Sequence, residues 1–195
     1  MPGGPVPWLL AVRAEEEMRT PPTPFILSLG SNLGDRRAHL QQGLRFLAQR
    51  VTIEAVSRLV ESAACGPVTV QPEFLNLVVR GSSSTDAPGL LRVARGAEAA
   101  AGRTRVVPGG PRTLDVDLIF FGDLRMESAS LRLPHPRWAE RPFVHRLLPE
   151  VAGDLVDPET GILLRELPGV DPLDDEVKLV SPLRSGKPSQ GSDYQ

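Results

Sequence analysis

The chain has 195 residues, 41% hydrophobic and 24% charged, which suits one well-buried soluble domain and excludes both a disordered chain and two ordinary domains. A net charge of −2 provides no bulk attraction to nucleic acid or to an anionic membrane. Lys178 and Lys187 are the only lysines among 22 basic residues, and no Gly-x-x-x-x-Gly-Lys-Ser/Thr run exists, so any phosphate must be handled by arginine, metal and backbone N–H groups.

The first elements are weak. Residues 1–23 are rich in Pro and Gly, carry Glu15-Glu16-Glu17 and end in a proline-rich run, which predicts an extension outside the fold. Its apolar stretch, 6–12, is short and broken by Pro7, so neither a secretory signal nor a membrane span is expected. Phe25-Ile26-Leu27-Ser28-Leu29 then predicts a buried strand, stopped by Gly30-Ser31-Asn32. A helix is expected from Asp35, an acceptor suited to its N-terminus, with Leu40, Leu44 and Leu47 on its buried stripe. Residues 51–60 predict a second strand, 61–72 an exposed loop and 74–79 a third strand. A second helix near Pro88 buries Leu90, Leu91, Ala94 and Ala97 and ends at Gly102. Cys65, the single cysteine, permits no intramolecular disulfide, which suits a reducing cytosol.

After an arginine- and proline-rich loop, 103–111, comes the most informative segment. From Thr113 onward Leu114, Val116, Leu118 and Phe120 alternate with Asp115, Asp117 and Ile119. Side chains two apart on a strand share a face, so the two carboxylates project together. Such a pair is either the wet face of a half-exposed strand or a hard-oxygen site for Mg²⁺ that also holds substrate phosphates. Arg112, three residues before Asp115, is placed to grip a phosphate oxygen. Beyond it lie a short segment at 131–133, the turn Pro134-His135-Pro136, a helix over 138–148 and a weak element at 162–167. From 170 to 195 polar residues, Pro and Gly predict a tail. The element order fits an α+β, ferredoxin-like split-βαβ sandwich: a mostly antiparallel sheet, helices on one face and extra C-terminal elements.

Four strings occur in one order: Leu29-Gly30-Ser31-Asn32-Leu33-Gly34, then Pro72-Glu73-Phe74-Leu75-Asn76. Gly102-Arg103-Thr104-Arg105 leads to Gly110-Pro111-Arg112-Thr113-Leu114-Asp115-Val116-Asp117, and Leu133-Pro134-His135-Pro136-Arg137 precedes Glu140-Arg141-Pro142-Phe143. With all four in register the chain resembles the 6-hydroxymethyl-7,8-dihydropterin pyrophosphokinases over about 25–167. The resemblance implies transfer of the β,γ-diphosphate of ATP to a reduced pterin, releasing AMP, a step of folate biosynthesis. It implies a pterin pyrophosphokinase domain over 24–169 between flexible ends (1–23 and 170–195). A cytoplasmic monomer with no nucleic acid or membrane partner is expected.

The resemblance also implies roles for residues. Asp115 and Asp117 match ligands of two Mg²⁺ ions. Arg103, Arg105 and Arg112 match arginines that act on the ATP phosphates. Arg95, Glu98, Leu118, His135 and Arg141 match nucleotide contacts. Ser62, Cys65, Phe74, Asn76 and Phe143 match the pterin side, where Asn76 reads the heterocycle's edge and the two rings sandwich it. Ser62-Ala63-Ala64 departs from the family's common Thr-Pro-Pro, and the nucleotide loop is short by one residue. Two competing readings remain: another metal-dependent phosphotransferase or nucleotidyltransferase, and a non-enzymatic ferredoxin-like binding module.

Overall fold

The computed structural model describes residues 21–64, 68, 70–104, 108–167 and 177–180. The expectations for Cys65 and Arg105 lie outside the described residues, as do those for 1–20, 168–176 and 181–195 at the two ends. In chain order the elements are β1 (Thr23–Ser31), α1 (Arg36–Ala48), β2 (Thr52–Val56), β3 (Leu59–Ser62), β4 (Phe74–Ser83), α2 (Ala87–Ala100) and β5 (Asp115–Phe121). Then come β6 (Met126–Glu127), β7 (Arg132–Leu133), α3 (Pro142–Ala152), a 3-10 turn at Leu164–Glu166 and β8 (Val177–Val180). The expected helix starts have their local causes: the Asp35 carboxylate accepts from the Ala38 N–H, and Asp86 accepts from the Gly89 N–H just past Pro88.

The main sheet runs β5-β1-β4-β3-β8, with β2 also on β4, and every pairing is antiparallel. This is the expected α+β plan, with one correction to its layers. α1 and α2 cover one face, where Leu40, Leu47, Leu90, Ala94 and Ala97 pack on Leu27, Leu29, Leu77 and Val79. α3 covers the opposite face, packing Phe143, Val144, Leu147 and Leu148 on Ile26, Val60, Val78 and Ile119. Helices therefore lie on both faces, because β1 and β4 are apolar at successive positions and must be buried on both sides. Each fully buried Leu or Phe contributes about 1.5–3 kcal/mol relative to exposure.

Several boundaries also differ from expectation. The strand expected over 51–60 is two strands on one edge of β4, separated where the Ser57 hydroxyl accepts the Val78 N–H. β1 runs through Gly30 and Ser31 rather than stopping there, since β4 and β5 pair with it on both sides. Alternation along β5 breaks at Ile119: Leu27 pairs with Leu118 and Ile26 with Phe120, leaving Ile119 as the extra residue of a bulge. Phe120 thus joins Ile119 on the α3 face instead of sharing the face of Leu118. The third helix begins at Pro142, not Trp138, because proline fits the first helical position and the residue before it disfavours helix. Trp138 lies in the preceding turn, its ring edge-on to Phe120 at 5.1 Å. Within the expected tail, Val177–Val180 pairs antiparallel with Leu59–Ser62 and covers the outer edge of β3.

Candidate active site

A row of positions crosses four adjacent strands on the α3 face. Asp115 of β5 lies opposite Gly30 of β1, Gly30 opposite Asn76 of β4, and Asn76 opposite Val60 of β3. In the next row Asp117 lies opposite Ser28. α3 begins beside these rows, so apolar packing gives way there to polar side chains and open space. Gly30 keeps the floor low: a Cβ on it would lie 2.7 Å from Asn76 Oδ1 and 3.3 Å from the Phe74 ring.

Two adjoining spaces open from the acid pair. The smaller, about 40 Å³, is lined by Ser62, Phe74, Asn76, Phe143, Arg112 and Arg141 together with both acids. Asn76 is buried and donates from Nδ2 to the Ser62 hydroxyl at 2.8 Å, which leaves its carbonyl oxygen beside Gly30. The Arg112 guanidinium lies over the Phe74 ring, 5.0 Å from its centroid. Phe143 is at once a wall of this recess and a member of the core under α3, whereas Phe74 belongs to neither core cluster. The larger cleft, about 600 Å³, is lined by Arg95, Glu98, Arg103, Arg112, Leu118 and His135, again with both acids.

The acids are not left to repel each other. Asp115 pairs with Arg103 and, at 2.8 Å, with Arg112. Asp117 accepts from Arg141 at 2.6 Å. Arg141 is free to do so because it precedes the proline that opens α3 and does not cap that helix with its side chain. Burial alone pushes the Asp117 carboxyl up, but Arg141, aided by His135 and Arg112, holds it below the ordinary carboxylate value. Glu98 lies under Arg103 and accepts the Val116 N–H at 3.0 Å, satisfying the outer edge of β5, the end strand of the sheet.

His135 sits on the other side of that edge, its backbone N–H donating to the Ile119 carbonyl. Burial pushes the imidazole below its ordinary value, against the pull of Asp117. Its Nδ1 accepts the Arg137 N–H, so the neutral ring carries its proton on Nε2, 3.9 Å from Asp117. The buried Nε of Arg112 has no hydrogen-bond partner among the described residues, a donor suited to an anionic oxygen.

The fold places Ser62, Phe74, Asn76, Arg95, Glu98, Arg103, Arg112, Leu118, His135, Arg141 and Phe143 in the walls of the two spaces that meet at the acids. Sequence reading assigned no role to Asn32 and Gln71. The buried Asn32 holds Arg112 on both sides: its Oδ1 accepts the Arg112 N–H at 2.8 Å and its own N–H donates to the Arg112 carbonyl. Gln71 reads as one polar loop residue, and only the folded loops reveal its partners.

The described residues contain no cluster of three or more His, Cys, Asp or Glu able to cage a metal by themselves. Two half-buried carboxylates fit a hard divalent cation whose remaining ligands are phosphate oxygens and water, the usual manner of binding Mg²⁺ with a nucleotide. No helix among the described residues is long and apolar enough to cross a membrane.

The family model for 7,8-dihydro-6-hydroxymethylpterin-pyrophosphokinase matches residues 26–153. The chain is 40% identical over 144 residues to the 2-amino-4-hydroxy-6-hydroxymethyldihydropteridine pyrophosphokinase of Synechocystis sp., covering 73% of each. It is 39% identical over 127 residues to the protein of that name from Bacillus subtilis, covering 64% of this chain and 75% of the relative. A mitochondrial folate synthesis bifunctional protein of Pisum sativum is 34% identical over 145 residues, 74% of this chain but 28% of the relative. Among solved structures, Plasmodium falciparum HPPK-DHPS with pteroate superposes with a TM-score of 0.59 at 13% identity, covering 76% of this chain and 43% of the other. That likeness concerns the fold alone.

Proposed function

Since the chain belongs to the 7,8-dihydro-6-hydroxymethylpterin-pyrophosphokinase family, we propose that its larger cleft holds ATP and its smaller recess the reduced pterin, with the reaction between them at Asp115 and Asp117. The activity is transfer of the diphosphate of ATP to 6-hydroxymethyl-7,8-dihydropterin, releasing AMP, a step of folate biosynthesis. The observation that carries the placement is the acid pair shared by both spaces. The pterin hydroxyl and the β-phosphorus must meet where the two substrates touch, and the acids stand at that boundary.

In this reading the acids bind two Mg²⁺ ions along with the phosphates. Bound there, the ions would supply charge neutralisation for the transferred phosphates. The rest is done by the chain's own side chains. Arg103, Arg112 and Arg141, which pair with Asp115 and Asp117 here, would hold phosphate oxygens once those carboxylates served as metal ligands. Arg105 belongs to the same set by sequence. The neutral His135 donates from Nε2 toward the phosphates, and Arg95 and Leu118 line the nucleotide's path. Asn76 presents its carboxamide oxygen to the pterin's donor edge, with Phe74 and Phe143 beside the ring. The Arg112 guanidinium lies over the Phe74 ring, so it must leave that face for a pterin to stack there.

Both acids are ion-paired, so neither is a strong base for the hydroxyl, and alignment of the hydroxyl with the phosphorus is the main contribution to rate. The enzyme acts as a cytoplasmic monomer. Incubation with ATP, Mg²⁺ and the hydroxymethyl dihydropterin tests the reading. AMP and a pterin diphosphate are expected; ADP or pyrophosphate as the product, or unchanged ATP, would overturn it.

A further inference from the structure

Between Phe25 and Leu29 every side chain of β1 is apolar except Ser28. Two residues after Ile26, it shares that residue's face of the sheet, the face under α3. It lies opposite Asp117 on β5 and Val78 on β4. Directly opposed side chains stand about 4.5–5.5 Å apart at Cβ. Ile26 and Val78 belong to the core and offer a hydroxyl nothing, and Gly30 has no side chain. The Asp117 carboxylate is taken by Arg141 at 2.6 Å. Ser28 is 3% exposed and lines the smaller recess, yet its hydroxyl has no hydrogen-bond partner among the described residues. A buried hydroxyl without a partner destabilises a fold. Packing alone gives no reason for serine here.

We propose that Ser28 is a substrate-binding residue whose hydroxyl holds the hydroxymethyl oxygen of the pterin beside Asp117. The inference rests on the assignment of the smaller recess to the pterin. Asn76 lies in the row of Asp115, where its carboxamide oxygen meets the edge of the heterocycle. Ser28 lies in the next row, against Asp117. Stacking between Phe74 and Phe143 sets the plane of the ring but leaves the exocyclic carbon–oxygen group free to rotate. The Ser28 oxygen accepts the substrate O–H and removes that freedom, which leaves a lone pair of the attacking oxygen turned toward the β-phosphorus. The hydrogen of Ser28 itself is directed to the Asp117 carboxylate across the strand pair.

The test uses Ser28→Ala in the full chain, with thermal unfolding recorded beside the wild type. Two ligands are titrated into each protein: 6-hydroxymethyl-7,8-dihydropterin and 6-methyl-7,8-dihydropterin, which lacks only the hydroxyl. Both titrations contain Mg²⁺ and saturating α,β-methylene-ATP, whose carbon bridge blocks the cleavage that releases AMP. Ser28→Ala is expected to weaken the hydroxymethyl compound about threefold to tenfold, the effect of one neutral hydrogen bond. Affinity for the methyl compound and for the nucleotide analogue should not change. The unfolding midpoint should hold or rise, because the variant removes a hydroxyl that the fold leaves without a partner. Unchanged affinity for the hydroxymethyl compound overturns the proposal, as does an equal loss for both pterins. A wild type that binds the two pterins equally overturns it as well. So does a lowered unfolding midpoint, which would make Ser28 a residue of the core. A wild type that forms no AMP from ATP and the hydroxymethyl compound overturns the functional reading instead, so the two failures are distinguishable.

Discussion

The two faces of the sheet are built from the same strands and finished differently. Under α1 and α2, Leu27, Leu29, Leu77 and Leu90 are fully buried, and the apolar layer extends to Leu114, just before β5, and to Val116 within it. On the opposite face α3 covers only part of the sheet, and beyond Phe143 the floor becomes Gly30, Asn76, Asp115 and Asp117. The first face is core except at its β5 edge, where Leu118 and the α2 residues Arg95 and Glu98 border the larger cleft. The second is core at one end and reaction site at the other, because one helix cannot cover what two cover. This difference separates changes that should reach the chemistry from changes that should reach only stability.

The largest effect is expected at the acids. Asp115→Asn and Asp117→Asn should each lower turnover at least about a thousandfold, roughly 4 kcal/mol in the barrier, with circular dichroism unchanged. Wild-type turnover of either variant at ordinary Mg²⁺ would remove the acids from the mechanism. No gain in stability from relieving two like charges is expected, because Arg103, Arg112 and Arg141 already balance them and each change leaves a half-buried guanidinium short of a partner.

Phe143 and Phe74 sharpen the boundary between core and site. Phe143→Ala should cost about 3–5 kcal/mol of unfolding free energy and also weaken pterin binding at least about tenfold. Phe74→Ala should weaken pterin binding similarly with a smaller stability loss, since Phe74 stands outside both core clusters. Denaturant titration and pterin binding on both variants decide this. Intact affinity in folded Phe143→Ala would make that ring core alone.

Gly30→Ala is expected to act more weakly. The added methyl meets Asn76 Oδ1 at 2.7 Å, so the carboxamide must move off its position over the recess. Pterin affinity should fall about tenfold, roughly 1.4 kcal/mol, with ATP affinity unchanged in equilibrium titration. Equal loss for both ligands would place Gly30 outside the pterin recess.

The smallest effect belongs to Asp154, on the surface beyond α3. Its hydrogen bond from Arg80 holds the carboxyl below the ordinary value. A lowered folded-state value stabilises above the unfolded carboxylate range and loses that contribution as pH falls through the folded value. The side chain is 63% exposed, so solvent screens the pair and Asp154→Asn should change stability by less than about 0.5 kcal/mol at neutral pH. Turnover should not change, and a measurable loss would mean that the site extends farther along this face.

The sequence by itself determined where α1 and α2 begin, because these starts follow from local chemistry. Asp35 and Asp86 cap the helices they precede, and Leu40 and Leu47 share one buried face of α1. It also determined that two carboxylates share a face, since a period of two needs no partner strand. Tertiary structure decided the rest, for reasons that depend on residues far apart in the chain. The bulge at Ile119 exists only relative to β1, and the break at Ser57 only relative to β4. Val177–Val180 is too short for periodicity to reveal, and its role appears only where it meets β3. Asn32 and Gln71 look like ordinary polar loop residues until folding brings their carboxamides together. Local pattern specifies what each segment can be; only the paired neighbours specify which of its atoms remain for a ligand.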